Sequence, residues 1–161
     1  MTKNRIGSGW DSHRLLEGKP LVLGGVTIPS RVGLDGHSDA DVLAHAITDA
    51  ILGAVALGDI GMHFPDTDPQ WKSAGSLQFL AHAEKLACDA GYKVVNVDST
   101  VILQSVKLAP YRDAIRQKLA ETLKLNMDHV SVKFKTAEGV GPVGEGKSAE
   151  SQAVVLLQSK Y

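Results

Sequence analysis

Hydrophobic positions along the chain alternate in some stretches and recur with helical spacing in others. Alternating or β-branched runs predict strands over residues 5–10, 94–103, 130–135 and 153–157. Two short apolar runs, at residues 21–23 and 26–28, flank Gly24-Gly25 and predict a small hairpin. Longer apolar runs predict helices over residues 39–57, 76–90 and 108–125. Gly58 and Gly91 follow the first two helices, where glycine commonly ends a helix.

This order of elements predicts an α+β fold with an α/β layered arrangement. We expect one mixed four-stranded sheet with three helices on one face, plus the small N-terminal hairpin. A length of 161 residues suits a single domain over residues 1–161. Because the second face of the sheet would stay uncovered, the pattern also predicts an oligomer.

Composition excludes several classes of protein. The 17 basic and 18 acidic side chains are dispersed, with a net charge of −1, so we expect no nucleic-acid partner. No apolar run reaches the length of about 20 residues that spans a membrane, and the N-terminus lacks an apolar signal core. The single cysteine, Cys88, cannot form an internal disulfide. Together these features predict a cytoplasmic protein in a reducing compartment.

An Asp-x-His pair and a helical histidine form a candidate metal site. Asp11 and His13 are two residues apart, so on a strand their side chains share one face. His45 lies on the first predicted helix in a row with Asp41 and Asp49, either of which could orient its ring. Three protein ligands and an open fourth position are typical of catalytic zinc. Each residue alone also fits a structural role, such as a surface pair or a helix cap.

His37-Ser38 immediately precedes the first helix. Backbone N–H groups at a helix N-terminus, beside a hydroxyl and an imidazole, suit a bound phosphate. Ser38 equally fits a plain N-cap, with Asp41 three residues later completing a capping box. The pattern leaves both interpretations open.

Two later segments carry carboxylates. The long segment 61–75 holds two acidic residues within residues 64–68, which fits a substrate loop or a solvated turn. Glu138 follows the strand at 130–135, where it could hold a second divalent cation while the Thr136 hydroxyl donates to a phosphate. The alternative is an ordinary strand end.

In this order, the segments resemble the 2-C-methyl-D-erythritol 2,4-cyclodiphosphate synthase family of the non-mevalonate isoprenoid pathway. The matching runs are RIGSGWDSH at 5–13, LGGVTIP at 23–29, HSDADV at 37–42, LGDIGMHFPDTDP at 57–69 and the final strand. Any single piece is a weak signal, whereas the central run in this order is highly specific.

The resemblance implies a role for each matching residue. Zinc would be bound by Asp11, His13 and His45, and Mg²⁺ or Mn²⁺ by Glu138 with the substrate phosphates. His37 and Thr136 would stabilise the transition state. Substrate contacts are implied for Asp11, Ser12, His13, His37 and Ser38, for Asp59, Ile60 and Gly61 at the erythritol hydroxyls, and for a flexible covering loop of Phe64, Pro65, Asp66, Thr67 and Asp68. The cytosine base would be bound by Leu103, Gln104, Ser105, Val106, Lys107, Leu108 and Ala109. The ribose and diphosphate would be bound by Lys135, Thr136, Ala137 and Glu138.

The resemblance also implies a reaction and an assembly. The 2-phosphate of 4-diphosphocytidyl-2-C-methyl-D-erythritol 2-phosphate would attack the β-phosphorus, releasing CMP and the cyclic diphosphate. Such a phosphorus-oxygen lyase needs no protein nucleophile, because the substrate's own 2-phosphate attacks. Two anionic groups must be brought together in line, so cations and positioning would supply most of the catalysis. Family members are homotrimers in which one subunit supplies the zinc site and the next supplies the cytidine pocket.

In the late glycine-rich loop the chain departs from its relatives. Many carry an aromatic residue and an arginine where this chain has Pro142 and Glu145. In the family this region lines the central cavity of the trimer, where an arginine can hold a phosphate-bearing isoprenoid, so such binding is doubtful in this protein.

Two other functions compete with the cyclising synthase. One is a zinc phosphohydrolase acting on a nucleotide-linked substrate through metal-bound water. The other is a non-catalytic trimeric scaffold with a structural metal, which the three-ligand set disfavours because structural zinc normally has four protein ligands.

Overall fold

The computed structural model describes residues 1–71 and 74–161 of the chain. In this part of the chain, five strands form one mixed sheet and two more form a hairpin. The elements are, in order, β1 (Asn4–Glu17), β2 (Leu21–Leu23), β3 (Val26–Ile28), β4 (Val32–Asp35), α1 (Val42–Ala54), α2 (Ile60–His63), α3 (Ser76–Asp89), β5 (Tyr92–Ile102), α4 (Arg112–Leu123), β6 (Val130–Lys135), α5 (Gly141–Gly144) and β7 (Ser148–Ser159).

The large sheet has the strand order β4-β1-β7-β5-β6. Only β5 and β6 pair in parallel, and the other neighbours are antiparallel. Helix α1 packs on β1 and β7, α3 on β5, and α4 on β6, so these three helices share one face of the sheet. Leu43, Ile47 and Ile51 of α1 are fully buried against it. Each buried side chain of this size contributes roughly 1.5–3 kcal/mol through removal from water.

The prediction of four strands is wrong because β4 was missed. The sequence predicts a loop around Pro29 and Gly33, yet Val32–Asp35 pairs antiparallel with the end of β1. Four residues that include a glycine and an aspartate carry no alternating signal, so only the pairing with β1 makes this segment a strand. β1 extends past residue 10 to Glu17 because its residues 11–14 pair with β7 and its residues 14–17 pair with β4.

Asp41, and not Ser38, is the N-cap of α1. Asp41 Oδ1 accepts a hydrogen bond of 3.0 Å from the Ala44 N–H. Its two oxygens also accept from the Gly24 and Gly25 N–H groups, at 3.0 and 2.7 Å. The hairpin turn therefore anchors the start of α1. The predicted Ser38 cap is wrong, because the Ser38 Oγ instead accepts from the Ala40 N–H.

Other boundaries differ from the predictions by a few residues. Helix α1 ends at Ala54 and not at residue 57. The predicted loop at 61–75 contains most of α2 and a 3₁₀ turn at Pro69–Trp71. Positions 72 and 73 of that predicted loop lie outside the described residues.

The sheet face opposite the helices is uncovered within the single chain. Ile6 and Trp10 of β1 and Val154 of β7 lie on it and are 73%, 56% and 50% exposed. This agrees with the expectation of an oligomer, while the trimer itself stays a prediction. No helix among the described residues has the length and apolar character needed to span a membrane.

Candidate metal and substrate site

The three candidate zinc ligands meet where β1 passes the first turns of α1. Asp11 and His13 point to the helix-covered face of β1, as the strand alternation predicts. His45 points back at them from the second turn of α1. One ligand atom from each residue lies within 4.8 Å of the other two. The sequence prediction that these residues come together is confirmed.

The spacing of these atoms suits a tetrahedral ion. Asp11 Oδ2 lies 2.9 Å from His13 Nε2 and 3.1 Å from His45 Nδ1. The two ring nitrogens are 3.3 Å apart. In tetrahedral zinc with bonds of about 2.0–2.1 Å, two ligand atoms are about 3.4 Å apart. The residues present therefore fit a zinc ion with small adjustments.

The second nitrogen of each histidine also has a partner. His13 Nδ1 donates to the Asp35 carbonyl at 3.0 Å, which leaves Nε2 free as a ligand. His45 Nε2 lies 2.7 Å from the Ser76 Oγ. Sequence spacing suggests Asp41 or Asp49 for this role, and both suggestions are wrong. Asp41 caps α1, and Asp49 accepts from the Ile60 N–H at 2.7 Å.

The electrostatics of the three ligands favour a cation. Burial alone would raise the pKa of Asp11, but hydrogen bonds with His13 and His45 outweigh it and lower the pKa to about 2. The hydrogen bond to Asp11 raises the pKa of His13 above 6.5, against the opposing effect of burial. Asp11 is therefore anionic at neutral pH and faces two imidazoles, a donor set that suits a divalent metal.

A cavity of about 520 Å³ opens directly above the three ligands. Besides Asp11, His13 and His45, the predicted site residues that line it are His37, Ser38, Ile60, Gly61, Phe64, Pro65 and Asp66. His37 and Asp66 are exposed, and their side chains approach to 3.5 Å across the mouth. The volume suits a small phosphorylated molecule.

Four predicted substrate residues in this half of the site do not line the cavity. Asp59 caps α2 by accepting from the Met62 N–H at 3.1 Å. Asp68 accepts from the Gln70 N–H at 2.9 Å within the turn, and Thr67 is exposed. Ser12 faces the other side of β1, where it lines a separate pocket with Arg14 and Lys147.

An aromatic cluster that sequence patterns did not reveal supports the cavity wall. Phe64 stacks on Phe79 with ring centroids 4.6 Å apart, and Trp71 packs edge-on against Phe64 at 4.9 Å. His82 completes the cluster at 5.5 Å from Phe64. Phe79 and Trp71 also line the cavity. The only sign of this cluster in the sequence is that Phe64 and Trp71 lie within the segment 61–75 and Phe79 follows it closely.

The remaining predicted site residues form a second cluster at the ends of β5 and β6. Parallel pairing places Ile102 beside Lys135, so residues 103–109 and 135–138 leave the sheet together. The Gln104 Oε1 accepts from the Ala137 and Gly139 N–H groups, both at 3.2 Å. Thr136 donates its hydroxyl to Glu138 at 3.3 Å. None of this cluster lines the cavity above Asp11, so the predicted site residues of one chain fall into two separate groups, which correspond to the two predicted half-sites.

Comparison with known proteins finds similarity over nearly the whole chain. The YgbB family model matches residues 4–158. The 2-C-methyl-D-erythritol 2,4-cyclodiphosphate synthase of Solibacter usitatus is 66% identical over 158 residues, which cover 98% of this chain and 99% of that protein.

Two solved structures are similar throughout the fold. A bifunctional IspDF from Campylobacter jejuni matches with a TM-score of 0.94 and 40% identity, covering 99% of this chain and 43% of that longer one. A CDP-bound 2C-methyl-D-erythritol-2,4-cyclodiphosphate synthase matches with a TM-score of 0.90 and 45% identity, covering 95% and 99% of the two chains. The chain therefore belongs to the YgbB family of 2-C-methyl-D-erythritol 2,4-cyclodiphosphate synthases.

Proposed function

We propose that the protein converts 4-diphosphocytidyl-2-C-methyl-D-erythritol 2-phosphate into 2-C-methyl-D-erythritol 2,4-cyclodiphosphate and CMP. The observation that carries this proposal is the meeting of Asp11, His13 and His45 beneath a cavity that His37 and Ser38 also line. Relatives named for this activity, at up to 66% identity, support it. In the reaction a 2-phosphate oxygen bonds to the β-phosphorus, and CMP leaves with the oxygen that bridged the α- and β-phosphorus atoms.

Asp11, His13 and His45 would hold zinc, which when bound supplies a positive charge that polarises a phosphate. Next to these ligands, the His37 ring and the Ser38 hydroxyl contribute hydrogen bonds to the phosphate oxygens. Phe64, Pro65 and Asp66 lie over the cavity and limit access of water to the reacting phosphate. No residue need act as a nucleophile, since the attacking oxygen belongs to the substrate.

The second half-site completes the active site from a neighbouring subunit of a homotrimer. Residues 103–109 hold the cytosine base, and residues 135–138 hold the ribose and diphosphate. Glu138 would hold Mg²⁺ or Mn²⁺, which would neutralise charge on the substrate phosphates, and the Thr136 hydroxyl stabilises the transition state. The uncovered sheet face and the separation of the two half-sites within one chain support this assembly.

Three narrower expectations accompany this proposal. The chain acts as one domain, and its cytoplasmic location remains a prediction. Binding of an isoprenoid phosphate in the trimer cavity is not expected, because Glu145 pairs with Lys147 at 2.6 Å and places a carboxylate where many relatives carry arginine.

Replacing Glu145 with arginine should create an anion-binding site in the trimer cavity. If the parent and Glu145→Arg bind an isoprenoid diphosphate equally well, this account of the loop is wrong.

The decisive experiment identifies both products. Zinc-loaded protein with Mg²⁺ and the cytidylyl substrate should release CMP and the cyclic diphosphate in equal amounts, as measured by ³¹P NMR. A zinc phosphohydrolase would instead release CMP and a linear phosphorylated product. That result would overturn the cyclising assignment.

A further inference from the structure

Ser76 links a metal ligand to a carboxylate that belongs to neither the cavity nor the ligand set. It is the first residue of α3 and is fully buried. Its Oγ lies 2.7 Å from the His45 Nε2, the ring nitrogen that faces away from Asp11. The same hydroxyl donates to the Asp39 carboxylate.

The direction of the hydrogen bonds follows from the available protons. Asp39 is an acceptor, so the Ser76 hydroxyl proton is directed to it and a lone pair of Oγ faces His45. That lone pair accepts a proton only from Nε2–H. His45 then carries a proton on Nε2, so in the neutral ring Nδ1 is the nitrogen that lacks a proton and can bind a metal beside Asp11 and His13. Without the Ser76 contact, the Asp11 carboxylate would instead favour a proton on Nδ1, where it blocks the metal.

Asp39 is itself held in place by the backbone. Its Oδ2 accepts from the Ser76 N–H at 3.0 Å and its Oδ1 from the Asp41 N–H at 3.2 Å. Gly75, the N-cap of α3, offers no side-chain oxygen, so Asp39 supplies the cap from a different segment. The cap of α3 and the orientation of His45 thus depend on one carboxylate.

Ser38 is the competing partner. Its Oγ lies 3.3 Å from the His45 Nε2, compared with 2.7 Å for Ser76, and 3.4 Å from the Ser76 Oγ. The shorter contact and the carboxylate behind it make Ser76 the stronger acceptor. Ser38 therefore remains available to a ligand in the cavity.

We propose that Ser76, held by Asp39, is a positioning residue that fixes the Nε2-protonated tautomer of His45 and so sets the metal affinity of the site. The role rests on the proposed zinc site, but it concerns metal binding and not turnover. Because Ser76 is the first residue of α3, it also connects the start of that helix to the metal ligand His45.

The test measures zinc affinity and the His45 tautomer in metal-stripped protein, without substrate. Ser76→Ala should weaken zinc binding about 10- to 100-fold, the usual effect of losing an outer partner of a metal ligand, in competition with a chromophoric chelator. Nitrogen-15 NMR of the ring should show Nε2 protonated in the parent and a mixture of tautomers in the variant. Asp39→Asn, which keeps an oxygen but loses the charge, should have a smaller effect.

Ser99→Ala is the matched control. Ser99 is also buried, and its hydroxyl donates to the Ser131 carbonyl away from the site, so its loss should cost stability without changing zinc affinity. Ser38→Ala should likewise leave zinc affinity within about twofold of the parent. Unchanged affinity and tautomer in folded Ser76→Ala would overturn the proposal. Because no substrate is used, failure of the proposed reaction would leave this result intact.

Discussion

Gly9 of β1 lies directly beneath the carbonyl group of Ala46 in α1. A Cβ at Gly9 would sit 1.9 Å from the Ala46 oxygen, far inside van der Waals contact. A Cβ at Gly7 would likewise lie 1.8 Å from the carbonyl oxygen of Ala50, one turn further along the helix. These two glycines let α1 pack closely on β1, and this close packing brings His45 to within 3.1 Å of Asp11.

Replacing Gly9 with alanine should therefore force α1 away from β1. We expect the free energy of unfolding to fall by about 1–3 kcal/mol or more, as in other overpacked cores. Zinc affinity should fall as well, because His45 moves with α1. Denaturant titration and chelator competition measure the two effects.

Gly53→Ala provides the control for that substitution. Gly53 lies on the exposed side of α1, and an added Cβ would meet nothing within 4 Å. It should raise stability by about 0.5–1 kcal/mol, because alanine favours helix over glycine. If Gly9→Ala proves as harmless as Gly53→Ala, the close packing does not set the position of the site.

Replacing His45 with alanine should abolish zinc binding and turnover while the protein stays folded. The reason is that only two ligands, Asp11 and His13, would remain. Metal content after dialysis, CMP release and circular dichroism report the three properties. His129→Ala is a control, since His129 lies outside the cavity. Full turnover by metal-free His45→Ala protein would contradict the ligand assignment.

The two half-sites should complement each other between subunits. His45→Ala removes the zinc half and Glu138→Gln removes the second-cation half, so each variant alone should be inactive. If the two are unfolded and refolded together, random mixing in a cyclic trimer places an intact zinc half beside an intact cytidine half at about one site in four. CMP release should recover to about a quarter of the parent value.

Each variant refolded alone is the control for this mixing experiment. Both should stay inactive after the same treatment, and all samples should elute at trimer size. If the mixture stays inactive although mixed trimers form, both halves must come from one chain, and the shared-site proposal is wrong.

Asp41 should make stability fall with rising pH. Burial raises the pKa of this carboxyl from 3.8 to about 6, although three backbone N–H groups oppose the shift. Its contribution is therefore fully present below pH 3.8 and is lost as the pH rises through 6. Relative to Asp41→Asn, the parent should lose stability between these values, with a slope of at most about 1.4 kcal/mol per pH unit.

Asp98 should have the opposite effect on the pH dependence of stability, measured as the difference between the parent and Asp98→Asn. The hydrogen bond from Lys133 holds the pKa of Asp98 below 3.8, so its contribution is present above that pH and is lost as the pH falls. Urea unfolding at fixed protein concentration between pH 3 and 7 measures both slopes. Parallel curves for the parent and Asp41→Asn would show that Asp41 titrates normally in the folded protein.

The sequence by itself determined the mixed α+β class, the hairpin and the candidate metal site of Asp11, His13 and His45. Alternation places Asp11 and His13 on one face of a strand whatever surrounds them, and helical spacing fixes where His45 points. The order of motifs was specific enough to identify the family. These properties are local or depend on sequence order, so they can be predicted without coordinates.

Only the tertiary structure decided what the polar groups between the motifs do. Asp41 could, from the sequence, either orient His45 or cap the helix, and it caps α1 while the Gly24-Gly25 turn brings two further N–H groups to it. Ser76, 31 residues from His45, takes the orienting role because α3 begins beside α1. β4 exists only because β1 offers it a partner. Contacts between distant segments form when the core packs, and no local pattern encodes them.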